Sequence, residues 1–287
     1  MKKILSIMLI GTMLIMAGCG QKANDSGDNQ DPSQKVSSGG AASGNKLEEI
    51  KQAGKIVIGT SADYPPYEFH MMIDGKDEIV GFDVEIMKEL AKGLGVELEI
   101  QDLGFDAVLA GVGSGLIDIG VAGINSMPER EEAMDFSDVY YKASHTIIVA
   151  ADKASEYKSP ADLEGKTIGA QLGTLQEQVA KEEIAGATVK SLGKVTDLIL
   201  ELKTGMIDAI ILELPVAKSY EKQNADLKAV DQIIFEKMEG GSTVITANGE
   251  TALMAEINKI LAELKASGKI DQFVAAANEL ADQAIEK

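Results

Sequence analysis

The 287-residue sequence predicts an α/β protein built as two lobes joined by two extended crossovers. Three observations carry this reading. From Lys46 onward, short apolar strands alternate with amphipathic helices, the pattern of mainly parallel sheets covered by helices. Similar phrases then occur twice, GKIVIGT (54–60) with GKTIGAQLGT (165–174), and GSGLIDIGVA (113–122) with KTGMIDAIIL (203–212). Two apolar segments, HTIIVAA and GSTVITA, stand near residues 148 and 244 and read as the crossovers.

The N-terminus reads MKKILSIMLIGTMLIMAGC: two lysines, an apolar run from Ile4 to Ala17, then Gly18 and the sole cysteine, Cys19. This is an export signal, too short and wrongly flanked for a membrane span. A single cysteine forms no intrachain disulfide. Its place after Met-Ala-Gly resembles the lipoprotein processing box, where the thiol takes a diacylglyceryl group and becomes the mature N-terminus. Met16 stands where leucine is usual, and an ordinary secretory signal with an incidental cysteine is the alternative. Residues 20–45 are rich in Gly, Ser, Asn, Asp and Gln and read as a tether. The expected organisation is a signal peptide over 1–18, a lipid anchor and tether over 19–45, a first lobe of 46–148 plus 244–287, and a second lobe of 149–243. The body then works outside the cytoplasm, lipid-anchored to a membrane. A formal net charge of −19 argues against nucleic acid as a partner and against adsorption to anionic lipid.

Along the body, Ile56–Gly59 is a short buried strand that runs into Asp63-Tyr64-Pro65-Pro66-Tyr67. Proline restricts its own φ and the residue before it, so Tyr64 leaves the strand on a stiff exit. Asp83 is expected to cap a helix with Ile86, Leu90 and Leu94 at helical spacing, stopped by Gly93 or Gly95. VELEI is the next strand, FDAVLAGV a helix and LIDIGVAG a strand. In the second unit Thr174 and Glu177 form a capping box that starts the helix TLQEQVAKEEI. The last two helices should pack back on the first lobe.

Catalytic equipment is sparse. His70 and His145 are the only histidines, and no nucleophile elbow, P-loop, GxGxxG or metal-spaced His/Cys cluster appears. No cofactor is expected. Three positions attract attention instead. Arg130, in NSMPEREEAMDFSDVYY, falls where a helix starts at Pro128 and opposes the helix dipole, which suits a bound anion or a salt bridge to Glu131, Asp135 or a neighbour. Thr174 places the first amides of its helix beside a strand exit, which is an anion seat as well as a cap. Glu213 ends a long buried strand and suits an ammonium partner, or is a surface glutamate starting a helix.

The ordered motifs GTSADYPPYEF, IVGFDVEIMKELAKGLGV, FDAVLAGVGSGLIDIGVAGINSMPEREEAMDFSDVYY, DLEGKTIGAQLGT and IDAIILELPVAKSY resemble the substrate-binding proteins of polar amino-acid ABC transporters. The resemblance runs from residue 47 to about 270. It implies a type II periplasmic-binding-protein fold whose lobes close on one free polar amino acid and deliver it to an ABC permease with its ATPase. It also implies a monomer and no enzymatic activity. By position, Arg130 would hold the ligand carboxylate with help from Thr174. Glu213 would take the ammonium with carbonyl help near Gly123, and Tyr64 and Phe105 would flank the side chain. Tyr67 matches a position that packs inside the lobe. Ser61 stands where binders of cationic side chains often carry aspartate, and Asn125 replaces a common Ser/Thr. With Gln171 these imply a neutral, hydrogen-bonding pocket and a lean towards a polar uncharged ligand. Rival readings are a lyase of cyclohexadienyl-dehydratase type on the same fold and a sensory ligand-binding module.

Overall fold

The computed structural model describes residues 46–284 apart from 236, 237 and 239. The expected signal peptide, Cys19 and the tether lie outside the described residues.

The chain opens with α1 (Lys46–Ala53) and β1 (Lys55–Thr60). An antiparallel ribbon follows, made of β2 (Asp63–Tyr64), β3 (Glu68–Ile73) and β4 (Lys76–Val80). Next come α2 (Phe82–Leu94), β5 (Glu97–Asp102), α3 (Phe105–Gly113), β6 (Ile119–Asn125), α4 (Pro128–Glu131) and β7 (Met134–Phe136). The second lobe holds β8 (His145–Ala150), β9 (Thr167–Gln171), α5 (Leu175–Glu183), β10 (Thr188–Leu192) and α6 (Val195–Lys203). It ends with β11 (Ala209–Glu213), α7 (Leu214–Gln223) and β12 (Leu227–Ala229). The chain returns through β13 (Ser242–Ala247) to α8 (Thr251–Ala266) and α9 (Lys269–Gln283). No helix among the described residues is long and apolar enough to cross a membrane.

The two sheets share one plan. The first runs β5-β1-β6-β13-β7 and the second β10-β9-β11-β8-β12. In each, three strands are parallel and the fourth, β13 or β8, is antiparallel to its neighbours. The repeated Gly-x-Ile-Asp turn has a common physical cause in both. Gly115 and Gly205 sit at φ 76° and 73°, a left-handed turn that glycine enters without strain. Ile117 and Ile207 are buried, while Leu116 and Met206 are exposed. Asp118 and Asp208 then each accept a backbone N–H at 2.8 Å, from Val57 in β1 and Thr167 in β9. Each aspartate therefore ties its turn to the first parallel strand of its lobe.

Sheet membership corrects two expectations about the crossovers. HTIIVAA is β8, a full member of the second sheet, and GSTVITA is β13, a full member of the first. The passages between sheets are therefore 137–144 and 230–241, and boundaries at 148/149 and 243/244 would cut through paired strands. Extended apolar segments look alike whether they cross or pair, because burial on both faces leaves no alternation to read.

A second correction concerns Asp83. Helix α2 begins on Gly81, at φ 131°, with no side-chain cap, and ends on left-handed Gly95. Asp83 turns inward and is fully buried, accepting N–H of Gly123 at 2.8 Å and the Tyr140 hydroxyl at 2.8 and 2.9 Å. The expected packing of α8 and α9 is present: both lie against α2 in the main core, through Leu253, Ile257, Leu261 and Ile270.

Candidate functional site

Sheets of this plan gather their loops at the carboxyl ends of the parallel strands, and the two lobes meet there. The exits of β1 and β6, with the start of α3, face the exits of β9 and β11. Between them lies a cavity lined by Tyr64, Phe105, Gly123, Asn125 and Arg130 from one lobe. Gln171, Thr174, Leu175 and Gln176 line it from the other. It measures only about 10 Å3, roughly the room of one water molecule, so anything larger enters only when the lobes part. Arg130 and Thr174 also border a wider cleft of about 330 Å3.

Arg130 sits in the cavity wall with its guanidinium 5.9 Å from the centroid of the Phe105 ring. Its nitrogens donate to the carbonyl of Asn125 at 3.3 Å and to the carbonyl of Gly173 across the lobes. Among the described residues it forms no ion pair with Glu131, Asp135 or any other carboxylate. Burial holds its pKa below the usual arginine value. Helix α4 is a single turn with Arg130 near its end, so the dipole argument for an anion fails. A partly desolvated guanidinium that hydrogen-bonds only carbonyls, with Glu129 and Glu177 acting on it through space, makes the stronger case.

Facing it, Thr174 caps α5, accepting N–H of Glu177 at 3.2 Å. Glu177 reaches back to N–H of Gly173, at 2.7 Å, one residue earlier than a capping box requires. Glu213 closes β11 and is buried, which removes the surface-glutamate alternative. Its carboxylate accepts from the Tyr67 hydroxyl and, at 3.3 Å, from the Asn125 amide, both on the opposite lobe. Burial raises its pKa to about 7, against the lowering effect of those two donors. Its own N–H donates to the Tyr64 hydroxyl at 3.2 Å. Gly123 adopts φ 56°, and a Cβ there would meet the rings of Tyr67 and Tyr64 at 3.4 and 3.6 Å. Its carbonyl accepts from the Asn125 amide at 3.1 Å.

The cleft between the repeated α/β lobes is thus lined by hydrogen-bonding groups, with an arginine on one side and a carboxylate behind the other. The model of the bacterial extracellular solute-binding proteins, family 3, matches residues 56–276. The chain belongs to that family. It is 39% identical over 220 residues to the arginine-binding extracellular protein ArtP of Bacillus subtilis, covering 76% of this chain and 84% of that one. The crystal structure of AbpA from Streptococcus pneumoniae bound to L-arginine superposes with a TM-score of 0.78 at 38% identity, covering 82% and 98%. The ancestral amino-acid-binding protein AncCDT-1, a precursor of cyclohexadienyl dehydratase, gives 0.71 at 32%, covering 82% and 99%.

In this family 3 protein, seven of the nine site residues expected from sequence line one cavity: Tyr64, Phe105, Gly123, Asn125, Arg130, Gln171 and Thr174. Two stand behind it. Ser61 accepts from the Gln171 amide at 3.3 Å and donates to Asp63 at 3.3 Å, while Glu213 lies behind Asn125 and Tyr64. Sequence reasoning missed Gln176, whose amide reaches the Tyr64 hydroxyl at 3.4 Å, and Leu175. Both directly follow Thr174, so the first helical turn was the available signal. It also left Tyr67 inside the lobe. The ring does pack on Phe82, at 4.3 Å between centroids, but the hydroxyl crosses to Glu213.

Buried acids stand behind the cavity wall. Burial pushes Asp63 and Asp83 up to about 6, and burial with the neighbouring Asp83 charge raises Glu68 well above the usual glutamate value. Folded pKa values above the unfolded ones mean the folded state holds extra protons. The stability from Asp63, Asp83 and Glu213 is complete below about pH 4 and is lost as pH rises through 6 to 7. His145, buried and neutral with its pKa lowered to about 4, opposes this below about pH 6.5, one group against three. The protein without ligand is therefore expected to melt higher at pH 5 than at pH 8 in calorimetry. An equal or lower melting point at pH 5 contradicts the assignment.

Proposed function

We propose that this protein captures one free amino acid between its lobes and passes it to an ABC permease and its ATPase, catalysing no reaction itself. The observation that carries this is Arg130, a half-buried cation in the cavity wall that lies over the Phe105 ring and hydrogen-bonds only carbonyls, with no carboxylate in ion-pair contact among the described residues. A ligand carboxylate supplies what it lacks, with amides at the start of α5 beside it. The ligand ammonium takes Glu213 when the lobes close around it, in exchange for the Tyr67 and Asn125 bonds. Tyr64 and Phe105 flank the ligand, and the contacts split between lobes make closure ligand-dependent. The wall residues contain no histidine, cysteine, lysine or carboxylate, which supports binding over the lyase chemistry that AncCDT-1 precedes. Asn125, Gln171, Thr174 and Gln176 favour a polar side chain and keep the lean towards an uncharged ligand, while the arginine named for ArtP and AbpA makes arginine the first cationic candidate to test against it. The protein acts as a monomer outside the cytoplasm, held to the membrane through lipidated Cys19 after cleavage of the signal peptide.

The test is a thermal-shift screen against the common amino acids, with protein unfolded and refolded to strip carried-over ligand. Binding to the native state alone raises the melting temperature by mass action. One or a few polar amino acids are expected to give a large shift. Flat responses to all, or turnover of prephenate or arogenate in a product assay, would overturn the reading.

A further inference from the structure

We propose that the turn Gly193–Val195 of the second lobe is a latch that holds the lobes together outside the ligand cavity, with Lys194 as its positioning residue. This rests on the amino-acid-capture reading above. Lys194 Nζ lies 2.6 Å from Asp102 Oδ1 at the end of β5, both side chains 28% exposed. Asp102 is already held within its own lobe, by the Ala62 N–H at 2.9 Å and by His70 Nε2 at 3.2 Å. The anion that Lys194 meets is thus fixed in place by groups of the first lobe. The same ammonium attracts Asp63, the neighbouring carboxylate of the first lobe.

Around the lysine, backbone groups complete the contact. Val195 and Thr196 donate their N–H groups to Asp63 Oδ2 at 2.5 and 3.4 Å, so the first amides of α6 find their acceptor in the other lobe. The Phe105 N–H donates to the Gly193 carbonyl at 3.3 Å. The Tyr220 hydroxyl donates to the Asp63 carbonyl at 2.7 Å. Asp63, Asp102, Gly193, Lys194, Val195 and Tyr220 are all absent from the cavity lining.

Contacts that favour closure without touching the ligand act on every ligand equally. The apparent dissociation constant is the intrinsic one divided by the closed fraction, so the latch raises all affinities by one factor and leaves selectivity alone. Residues of the wall do the reverse and change the ranking of ligands. The latch also gives the unliganded protein a closed population.

The test uses the full chain with Cys19→Ser, carrying spin labels at Leu116→Cys and Met206→Cys, one exposed position per lobe. Double electron–electron resonance then reads the interlobe distance without ligand. The parent chain is expected to populate the closed distance, and Lys194→Ala to move that population to longer distances. Lys194→Ala should also weaken binding by about 1.5–5-fold, with the same factor for each amino acid that the parent binds, the effect of losing a partly exposed ion pair. Tyr220→Phe, which keeps the ion pair, should shift the distances in the same direction. Unchanged distances in both variants, a parent wholly open without ligand, or factors that differ between amino acids would overturn the proposal. A parent that binds no amino acid defeats the capture reading, while the distance comparison still judges the latch.

Discussion

Arg130→Ala is expected to weaken amino-acid binding by about 100-fold or more while leaving the fold intact. The guanidinium can grip a carboxylate through two charge-assisted hydrogen bonds, each contributing roughly 1.5–3 kcal/mol. Their loss leaves a buried ligand carboxylate facing the Phe105 ring and carbonyl oxygens, and every 1.4 kcal/mol is tenfold in affinity. The folded protein loses little, because Arg130 has no ion pair among the described residues and is itself desolvated. Titration calorimetry of the ligand found in the screen measures the first effect, and the melting temperature without ligand checks the second. Arg130→Lys should recover part of the affinity, since the charge remains but the planar fork does not. If the alanine variant binds as tightly as the parent, the carboxylate lies elsewhere.

A different signature is expected from Glu213. With its pKa raised to about 7 by burial, the unliganded carboxyl is largely ionised at pH 8 and largely protonated at pH 6. An ammonium binds the ionised form, so below about pH 7 each ligand bound must expel a proton. The dissociation constant should rise about tenfold per pH unit there, until the pKa of the complex is reached. This runs against the stability of the unliganded protein, which improves in acid for the same reason. Glu213→Gln should bind about 100-fold more weakly at pH 8 and lose the slope, leaving a nearly flat profile between pH 8 and 6. A slope that survives the substitution would assign the titration to another group, with Asp63 the next to test.

Both expectations depend on residues whose type was visible in the sequence and whose surroundings were not. Thr174 as a cap, the Gly-x-Ile-Asp turns and the left-handed stop at Gly95 were legible because each involves groups only a few residues apart. The same locality made the α/β alternation and the two-fold repeat readable, and with them the rule that loops after strands build the cleft. Seven wall residues followed by position from the family's motifs.

Tertiary structure decided the rest. Asp83 looks like a helix cap along the chain, yet its partners are Gly123 and Tyr140, 40 and 57 residues away. Tyr67 reads as core until its hydroxyl meets Glu213, 146 residues on. HTIIVAA and GSTVITA read as crossovers because pairing across a sheet leaves no mark on an apolar segment buried on both faces. Lys194 and Asp102 meet although they stand 92 residues apart. Local hydrogen bonds and hydrophobic period are written in neighbouring residues, so the sequence by itself determined the elements, the repeat and the kind of cleft. Which buried donor meets which acceptor depends on how the two lobes are set against each other, and only the folded chain brings those groups within reach.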